Sequence, residues 1–547
     1  MKLIECVPNF SEGRDLRIID EITSVIRGVD GVRLLGVDPG AATNRTVVTF
    51  AGSQEVVEEA AFRSISRAAQ LIDMSRHRGE HPRMGATDVC PFVPLAGASI
   101  EDCIESARRV GRRVGDELGV PVYLYEHAAP GGRRSLAEVR RGEYEGLAGR
   151  SDAPDFGPAY NPSAGATAIG ARQFLVAFNV NLNTKDRRLA HQIAQAVRET
   201  GRPRRSEDGS ILKDADGKTI FEPGRFREVK GVGWFIDEYQ RAQVSLNLTD
   251  HTVASVHSVF DACREEAGRL GLRVTGSELV GLVPRAALLA AGDHYLQAQG
   301  ATIGVPERER IHAAILSLGL DELTPFDPDA KIIEYAIGGE SGALAGLPVV
   351  RFLDELSGDL PAPGGGSVAA LAGSLAAALA AMVAALTWAK KGMEAERPEM
   401  ESVGVRAQEL KDWFAAAIDR DTAAFNAVLL ARRMPRATAS EVEAREAAIR
   451  AADLGATLVP LEVLERSVEA LEVVLAVARR GNPTSVTDAG VGGWCGLAAA
   501  EGASFNVRIN LRELAGDNSE LVRRHDEALR RAREVAAEVG RAVEEHL

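Results

Sequence analysis

The stretch SVAALAGSLAAALAAMVAALTW, residues 367–388, decides the architecture of the second half of this chain. It carries no charged residue and is long enough to cross a lipid bilayer as a helix. Ten of its 22 residues are alanine, however, which is only weakly hydrophobic, and small side chains let neighbouring helices pack closely. No second stretch of this kind accompanies it. We therefore expect a helix buried inside a soluble protein, and no membrane partner.

Alanine and leucine dominate the chain around this stretch, from about residue 330 onward, and strand signals nearly vanish there. The pattern predicts helices over 367–391, 397–433, 439–480, 485–500 and 518–546. Residues 349–547 are therefore expected to form an all-α helical bundle domain. A linker is predicted over 331–348, around the glycine-rich sequence GGESGALAG at 338–346.

The first 330 residues differ, with β-branched strand segments and Pro-containing turns. Two runs in the order strand, helix, strand, strand, helix follow one another, over 1–178 and 179–330. They predict two related α/β sandwich subdomains with the ferredoxin-like β-α-β-β-α order, each an antiparallel or mixed sheet covered by helices on one face. Residues 204–225 are polar and predict an exposed hairpin insertion. The predicted fold class is α+β followed by an all-α domain.

Composition and charge narrow the functional classes. The 547 residues include 78 Asp and Glu against 64 Lys and Arg, a net charge of −14. Nucleic-acid binding relies on neutralising phosphates, so we expect no nucleic-acid partner. The five cysteines are scattered without a CxxC pair, which favours a reducing compartment. The N-terminal sequence MKLIECVPNFSEGRD lacks the apolar core of a signal peptide, so we expect a cytoplasmic protein.

The densest polar cluster is RHRGEHPRMGATD at 76–88. His77 and His81 are four residues apart, but Gly79 and Pro82 argue against the helix that would present both to one metal ion. We therefore expect no metal site. The remaining interpretations are a solvated polar loop and a catalytic loop. In a catalytic loop, a histidine would shuttle protons near neutral pH.

An arginine and an irregular segment are further candidates for ligand binding. Arg45 is placed either to clamp a carboxylate with its guanidinium or to form a surface ion pair with Glu12 or Asp38. The segment DFGPAYNPSAGATAIGAR at 155–172 is rich in Gly and Pro but lacks the GxGxxG spacing of dinucleotide-binding loops. It is expected to bring backbone amides to a flat ligand or to link the subdomains, and the two roles are compatible.

In the helical half the most informative residue is Asp421. It lies in the middle of an apolar stripe that 100° steps trace through Ala407, Leu410, Phe414, Ala417, Ile418, Phe425 and Val428. A carboxylate on a buried face costs several kcal/mol unless it is paired or protonated, and burial raises its pKa toward values useful for proton transfer. Asp421 is therefore either an acid/base or part of a structural ion pair or helix cap.

Polar and glycine-rich stretches interrupt this half. The sequence PAPGGGS at 361–367 places a glycine run and an expected N-cap serine before the alanine-rich helix: Gly364, Gly365, Gly366 and Ser367. Such a turn either presents amides to an anion or is a flexible linker, and no Walker A lysine follows it. Two other stretches hint at a lined pocket, NPTSVTD at 482–488 and FNVRINL at 505–511.

Through these residues the sequence resembles known enzyme families. Over residues 2–335 it resembles glutamate formimidoyltransferase, most clearly in LIECVPNFSEGRD, TNRTVVTF, LIDMSRHRGEHPRMGATDVCPFVP, GVPVYLY, FLVAFNVNL, AQVSLNLTD and PFDPDAKIIEY. From PAPGGGSVAA to FNVRINL it resembles formimidoyltetrahydrofolate cyclodeaminase, which is itself similar to methenyltetrahydrofolate cyclohydrolases. The order of the two parts matches the bifunctional formimidoyltransferase-cyclodeaminase family.

The resemblance implies two consecutive reactions in histidine degradation. The formimino group of N-formimidoyl-L-glutamate would move to N5 of tetrahydrofolate, and 5-formimidoyltetrahydrofolate would then close to 5,10-methenyltetrahydrofolate and release ammonia. Tetrahydrofolate, with or without a polyglutamate tail, would be a co-substrate, with no permanently bound cofactor and no metal. The resemblance also implies a homo-oligomer whose helical domain dimerises. The alternatives for the helical half are a methenyltetrahydrofolate cyclohydrolase and a non-catalytic folate-binding or oligomerisation module.

The family's site residues carry over by motif. The catalytic histidine of GEHPRMG corresponds to His81 rather than His77, and the acid/base aspartate of the D-x-D-x-x-A-F pattern corresponds to Asp421. The folate segment, one residue shorter here than the family's pattern, corresponds to Gly157, Pro158, Tyr160, Asn161, Pro162, Ser163 and Gly165. We expect Arg45 or Arg83 to hold substrate carboxylates. Further candidate substrate contacts are Asp38, Gly364, Gly365, Gly366, Ser367 and Asp488.

Overall fold

The computed structural model describes residues 2–40, 44–79, 82–95, 97–131, 134–237, 239–337 and 344–547. His81 and most of the predicted linker sequence at 338–346 lie outside these residues. The chain separates into two compact units. The first comprises Met1–Ala290 with Leu318–Gly339, and the second comprises Ala291–Ser317 with Glu340–Leu547.

The first sheet of the first unit is mixed. Its strands are Leu3–Cys6 (β1), Asn9–Phe10 (β2), Arg33–Gly40 (β3), Arg45–Ser53 (β4), Thr87–Pro94 (β5), Val122–Glu126 (β6) and Thr167–Ala171 (β7). They are arranged in the order β1-β4-β2-β5-β7-β6, with β3 paired to β4. The pairs β5–β7 and β6–β7 are parallel, and β3–β4 is an antiparallel hairpin. β5 is buried along nearly its whole length, as expected of a strand covered on both faces.

Three long helices cover one face of this sheet and bury its apolar side chains, and Val139 of a short helix packs with Tyr123 and Tyr125 on the other face. The long helices are Leu16–Arg27 (α1), Gln54–Leu71 (α2) and Ile100–Leu118 (α3), and two short ones follow at Leu136–Val139 (α4) and Glu143–Gly146 (α5). α3 begins with a capping box in which Ser99 and Asp102 bond each other's backbone amides. The core between helices and sheet includes Ile22, Ile65 and Phe50, each almost fully buried.

The second sheet of the first unit has a ferredoxin-like order. Its elements run Val176–Leu182 (β8), Arg187–Val197 (α6), Arg202–Pro203 (β9), Phe221–Glu222 (β10), Val229–Ile236 (β11), Arg241–Leu248 (β12), Val256–Arg269 (α7) and Val274–Val280 (β13). The main strands lie in the antiparallel order β11-β12-β8-β13. β9 pairs with β10 in a separate exposed hairpin at the predicted insertion. Asn179 and Asn181 alternate along β8 with apolar residues, and these polar side chains are also buried.

The second unit is helical. The helices that follow β13 are Arg285–Ala298 (α8), Glu307–Leu318 (α9), Pro328–Lys331 (α10), Ile333–Ala336 (α11), Val349–Leu356 (α12), Gly365–Ala389 (α13), Arg397–Arg433 (α14), Ala439–Arg480 (α15), Val486–Leu511 (α16) and Ser519–Glu544 (α17). Of these, α10, α11 and the first residues of α8 belong to the first unit. Small residues let the long helices approach closely. A Cβ on Gly373 of α13 would lie 2.5 Å from the Phe414 ring of α14, and one on Gly496 of α16 would lie 2.8 Å from Leu471 of α15.

The alanine-rich helix is a core helix of this bundle. Among the described residues, α13 alone is long and apolar enough to cross a bilayer, and half of its apolar window is buried inside the protein. One predicted helix end is wrong, because α16 continues to Leu511 instead of ending near residue 500. The polar stretch FNVRINL is therefore helical. Its asparagines remain compatible with a helix because Asn506 and Asn510 donate hydrogen bonds to main-chain carbonyls.

Candidate active sites

The stem of the polar loop at 76–88 is fixed by a histidine and an arginine. His77 is buried, and its Nε2 donates to the carbonyl of Asn44 at 3.0 Å. Arg83 Nε donates to His77 Nδ1 at 3.3 Å, which fixes the tautomer. Burial lowers the pKa of His77 below its ordinary value, so the ring is neutral at pH 7. His77 is thus a structural residue on one side of His81, which lies outside the described residues.

Arg83 is committed to carboxylates of the protein. Its Nη1 and Nη2 bond the two oxygens of Glu145 at 2.8 and 2.7 Å, and Nη1 also lies 3.3 Å from Glu143. The bidentate hydrogen bonds from Arg83 lower the pKa of Glu145 to about 2. The predicted role of Arg83 in holding a substrate carboxylate stays a prediction, and in this structure its guanidinium ties the loop to α5.

Arg45 faces a buried aspartate instead of the surface partners considered from the sequence. Its Nη1 lies 2.5 Å from Asp88, which is fully buried, and its Nε donates to Asn9 at 3.0 Å. Arg140 Nη2 also lies 2.5 Å from Asp88. A surface ion pair with Glu12 or Asp38 is therefore wrong, and Asp38 is exposed on β3. Two guanidinium groups, those of Arg45 and Arg140, thus meet at one buried carboxylate.

The predicted folate segment packs against the same polar loop. Met74 and Ala86 donate backbone hydrogen bonds to Ser163 and Ala164, each at 2.8 Å. Gly165 adopts a positive φ of 70°, and a Cβ there would lie 2.3 Å from the Met84 carbonyl, so glycine permits this close approach. The structure therefore brings the catalytic-loop candidate and the folate-segment candidate together.

The surface and the turn of this segment suit a ligand contact. Its outward residues are exposed: Gly157, Pro158, Tyr160, Pro162 and Ser163. The Asn161 side chain organises the turn, accepting from the amides of the two residues at 163–164 and donating to a main-chain carbonyl at 119. Tyr144 of α5 donates to the carbonyl of Pro162 at 2.6 Å. α5 thus contacts both the polar loop, through Arg83, and the folate segment.

In the helical unit, Asp421 lies at a pocket of about 400 Å³. Ser367 Oγ donates to Asp421 at 3.2 Å and also lies 2.9 Å from the Ile418 carbonyl. Burial raises the pKa of Asp421 above its ordinary value, although hydrogen bonds from the Ser367 hydroxyl and amide oppose this shift. Asp421 therefore also satisfies an amide near the start of α13. This cap-like contact is compatible with an acid/base role, because the carboxyl also lines the pocket.

The glycine run at 364–366 also lines this pocket. α13 begins at Gly365, with Gly364 as its N-cap residue, so the predicted N-cap role of Ser367 is wrong. Ser367 is inside the first turn and fully buried because its hydroxyl bonds across to α14. A Cβ on Gly366 would lie 2.1 Å from Asp421 Oδ1, so only glycine leaves room for the carboxyl.

The apolar stripe of α14 changes partners at Asp421. Residues before it are buried in the bundle core, as predicted: Ala407, Leu410, Phe414, Ala417 and Ile418. Beyond it, Phe425 is 37 % exposed and lines the pocket together with Val428, so the core expected there is wrong. The stripe leaves the core because α13 begins opposite Asp421 and covers nothing beyond it.

Three family models match successive parts of the chain. "Formiminotransferase domain, N-terminal subdomain" matches residues 3–172, "Formiminotransferase domain" matches 177–338 and "Formiminotransferase-cyclodeaminase" matches 348–540. The formimidoyltransferase-cyclodeaminase of Mus musculus is 41% identical over 525 residues, 94% of this chain and 94% of its own length. The chain belongs to the formimidoyltransferase-cyclodeaminase family. The predicted resemblance, the fold class and the bifunctional enzyme are thereby confirmed.

Two further relatives each resemble one half of this family member. The glutamate formimidoyltransferase of Thermoplasma acidophilum is 41% identical over 322 residues, 57% of this chain and 99% of its own length. The methenyltetrahydrofolate cyclohydrolase of Methylorubrum extorquens is 34% identical over 166 residues, 30% of this chain and 80% of its own length. Both similarities agree with the predicted order, in which a transferase half is followed by a half that acts on the folate product.

Other residues of the formimidoyltransferase-cyclodeaminase pocket were missed or are placed elsewhere. Asn506, Asn510 and Arg432 line the pocket with Asp421, although the sequence singled out only the stretch FNVRINL. Two asparagines at positions i and i+4 of one helix lie on the same face, and this spacing is the sequence signal for Asn506 and Asn510. Asp488 lies in the first turn of α16, about 27 Å along the helix from Asn506. Within one chain, the structure does not bring Asp488 to Asp421.

Proposed function

We propose that this chain transfers the formimino group of N-formimidoyl-L-glutamate to N5 of tetrahydrofolate and then converts 5-formimidoyltetrahydrofolate to 5,10-methenyltetrahydrofolate and ammonia. The observation that carries the proposal is the Asp421 carboxyl beside the glycine-rich start of α13, in a chain that also holds the transferase motifs. A helical module that only bound folate would not need a buried carboxyl whose charge is costly there. This reaction pair is the one that the family's name describes.

The first reaction needs a proton donor and a cation for the substrate. N5 attacks the amidine carbon to form a tetrahedral adduct and loses its proton. The C–N bond to glutamate then breaks, and the departing glutamate nitrogen gains one proton, so that the proton count balances. We assign this proton transfer to His81. The two guanidinium groups that meet at Asp88, those of Arg45 and Arg140, are the cations that we assign to the substrate carboxylate. Segment 157–165 binds the reduced folate beside the loop that carries His81.

The second reaction needs one proton moved between two nitrogens. N10 attacks the carbon of the protonated formimino group, and the N10 proton passes to the Asp421 carboxylate. The protonated Asp421 then gives that proton to the NH2 group, the C–N bond breaks and ammonia leaves. Charge is conserved, because the amidinium cation becomes the methenyl cation. Burial raises the pKa of Asp421, which brings its proton affinity closer to that required for both transfers.

Tetrahydrofolate acts as co-substrate, with or without a polyglutamate tail, and we propose no permanently bound cofactor. The transferred carbon keeps its oxidation level in both reactions, so neither requires a redox group. Among the described residues, no group of three or more His, Cys, Asp or Glu side chains is arranged to hold a metal ion. We place the protein in the cytoplasm, because the five cysteines are unpaired thiols and a reducing compartment preserves them.

We further propose that two copies of the chain pair through the helical unit. An apolar stripe on α13 is exposed at intervals of seven, seven and four residues, which keep one helix face, through Val368, Leu375, Met382 and Leu386. On the adjacent α16, Trp494 is 75 % exposed. Exposed apolar side chains in such number are typical of a subunit interface. Leu375→Asp should shift the sedimentation coefficient toward that of a smaller assembly, and an unchanged coefficient would contradict this interface.

A coupled assay tests the catalytic proposal. The purified chain is mixed with formiminoglutamate and tetrahydrofolate, and glutamate, ammonia and methenyl absorbance are followed together. Equal amounts of all three support both reactions. Glutamate without ammonia would refute the cyclodeaminase step and leave a transferase with a non-catalytic helical half. Added 5,10-methenyltetrahydrofolate that is hydrolysed faster than without enzyme would instead support the cyclohydrolase alternative, for which the Methylorubrum extorquens relative provides a reason.

A further inference from the structure

Helix α16 contributes two asparagines to the Asp421 pocket. Asn506 and Asn510 are one turn apart on α16, and both line the pocket with Asp421. A Cβ on Gly365 would lie 4.0 Å from Asn506 Nδ2, and one on Gly366 would touch Asp421, so Asn506 and Asp421 border two consecutive glycines. These asparagines therefore lie beside the carboxyl proposed to carry out the proton transfers.

The orientation of both side-chain amides is fixed by main-chain carbonyls. Asn506 Nδ2 donates to the Gly502 carbonyl at 2.9 Å, and Asn510 Nδ2 donates to the Ala456 carbonyl of α15 at 2.7 Å. Turning either amide over would place two oxygen atoms against each other. Each of these bonds uses one N–H of the NH2 group and fixes the direction of the amide. Among the hydrogen bonds described, neither asparagine oxygen accepts from the protein, so each is an acceptor left to a ligand.

The remaining charged groups of the pocket do not change this pattern. Arg432 is held by Glu513 at 2.6 Å and lies 3.7 Å from Asp453. Its donors are thus partly used by the protein's own carboxylates. The amide of Ser367 is used by Asp421. The Asp421 carboxyl and the two asparagine oxygens therefore supply hydrogen-bond acceptors on the side of the pocket formed by α14 and α16.

Hydrogen-bond acceptors in this pocket distinguish two folates whose N5 substituents end in different atoms, nitrogen in one and oxygen in the other. 5-Formimidoyltetrahydrofolate ends in an NH2 group that donates hydrogen bonds, whereas 5-formyltetrahydrofolate ends in an oxygen that only accepts them. We infer that Asn506 and Asn510 are specificity-determining residues that accept hydrogen bonds from the formimino nitrogen and so select the 5-formimidoyl over the 5-formyl substituent. This inference rests on the proposed cyclodeaminase function of the pocket. A formyl oxygen there would meet acceptor oxygens and leave them unpaired, which sites built for a donor reject strongly.

Asn506→Leu tests this inference with little risk to the fold, because the Asn506 side chain bonds only within its own helix turn among the contacts described. The second reaction is measured alone, with 5-formimidoyltetrahydrofolate supplied directly and ammonia followed, and 5-formyltetrahydrofolate is titrated in as an inhibitor. We expect kcat/KM to fall 10- to 100-fold, the size of a hydrogen bond to a charged group, while the inhibition constant of the formyl compound stays the same or decreases. Asn506→Asp, which keeps an acceptor oxygen, should retain more activity than Asn506→Leu.

A matched control is Asn518→Leu, since Asn518 makes the same kind of bond to the carbonyl four residues before it but is not a pocket residue. Its kcat/KM should equal that of the wild type. Equal losses in kcat/KM and in formyl-compound affinity for Asn506→Leu would overturn the inference, because the residue would then bind a part shared by both folates. Unchanged kinetics would overturn it as well. A wild-type chain that released no ammonia would instead overturn the cyclodeaminase proposal itself.

Discussion

Replacing Gly366 by alanine would place a methyl carbon where the Asp421 carboxyl now lies. The added Cβ would be 2.1 Å from Oδ1, 2.5 Å from Cγ and 2.6 Å from Oδ2, whereas carbon and oxygen atoms in contact are usually more than 3 Å apart. The carboxyl must therefore move by roughly 1 Å, and it can do so by rotating toward the open pocket. A displacement of this size at a reacting group costs about 100-fold in rate.

The assay follows ammonia release from 5-formimidoyltetrahydrofolate, with glutamate release by the transferase half measured on the same sample. Gly366→Ala should lower the first rate about 100-fold and leave the second unchanged. Gly540→Ala is the matched control, because Gly540 is a helical glycine of α17 that does not line this pocket and its Cβ would meet nothing within 4 Å. Both changes add the same helix-stabilising methyl group, so they differ only in what the methyl touches. Equal ammonia release by the two variants, near the wild-type rate, would refute the placement of Asp421 at the reaction.

Three other perturbations test separate parts of the structure. Asp88→Asn leaves Arg45 and Arg140 without their buried carboxylate and should lower the free energy of unfolding of the transferase half by about 3 kcal/mol, measured by urea denaturation. An unchanged midpoint of the urea transition would contradict the buried charge arrangement. Arg83→Met removes the bonds that hold the loop at 76–88 to Glu145 and should lower the transferase kcat at least tenfold. Ammonia release from supplied 5-formimidoyltetrahydrofolate should be unaffected. The control Arg63→Met removes an exposed ion pair and should change neither rate. Asp421→Asn should raise Tm at pH 7, because burial raises the pKa of Asp421 above 3.8 in the folded chain and the charged carboxylate therefore destabilises the fold above that pKa. The Tm difference between the variant and the wild type should shrink as the pH falls toward 3.8. A Tm difference that did not depend on pH would contradict this origin.

Local patterns in the sequence predicted the five long helices of the second half and their order. These helices begin and end within a few residues of their predicted bounds, except at the end of α16, because apolar periodicity and breakers are local properties. The strands β5 and β13 and the helices α8, α9 and α12 were not predicted. The buried part of the α14 stripe was predicted for the same reason. The end of α16 was missed because Asn506 and Asn510 look like breakers in the sequence, whereas hydrogen bonds to helix carbonyls satisfy their side chains.

The partners of charged and polar residues could not be predicted, since they come from elements far apart in the chain. Arg45 pairs with Asp88 of β5 and not with its sequence neighbours, and Arg83 pairs with Glu145, 62 residues away. Ser367 caps nothing because a buried hydroxyl is better satisfied by the Ile418 carbonyl across the bundle. Asp421 was identified correctly as a pocket residue candidate because a carboxylate in an apolar stripe is itself a local signal.

The division of the two reactions between two halves of one chain is tested most directly with the Asp421→Asn chain, given formiminoglutamate and tetrahydrofolate. Glutamate, 5-formimidoyltetrahydrofolate and ammonia are quantified over the same time course. We predict glutamate release at the wild-type rate, a matching accumulation of 5-formimidoyltetrahydrofolate, and no enzyme-dependent ammonia. Ammonia released at the wild-type rate would contradict the assignment of ring closure to the Asp421 pocket.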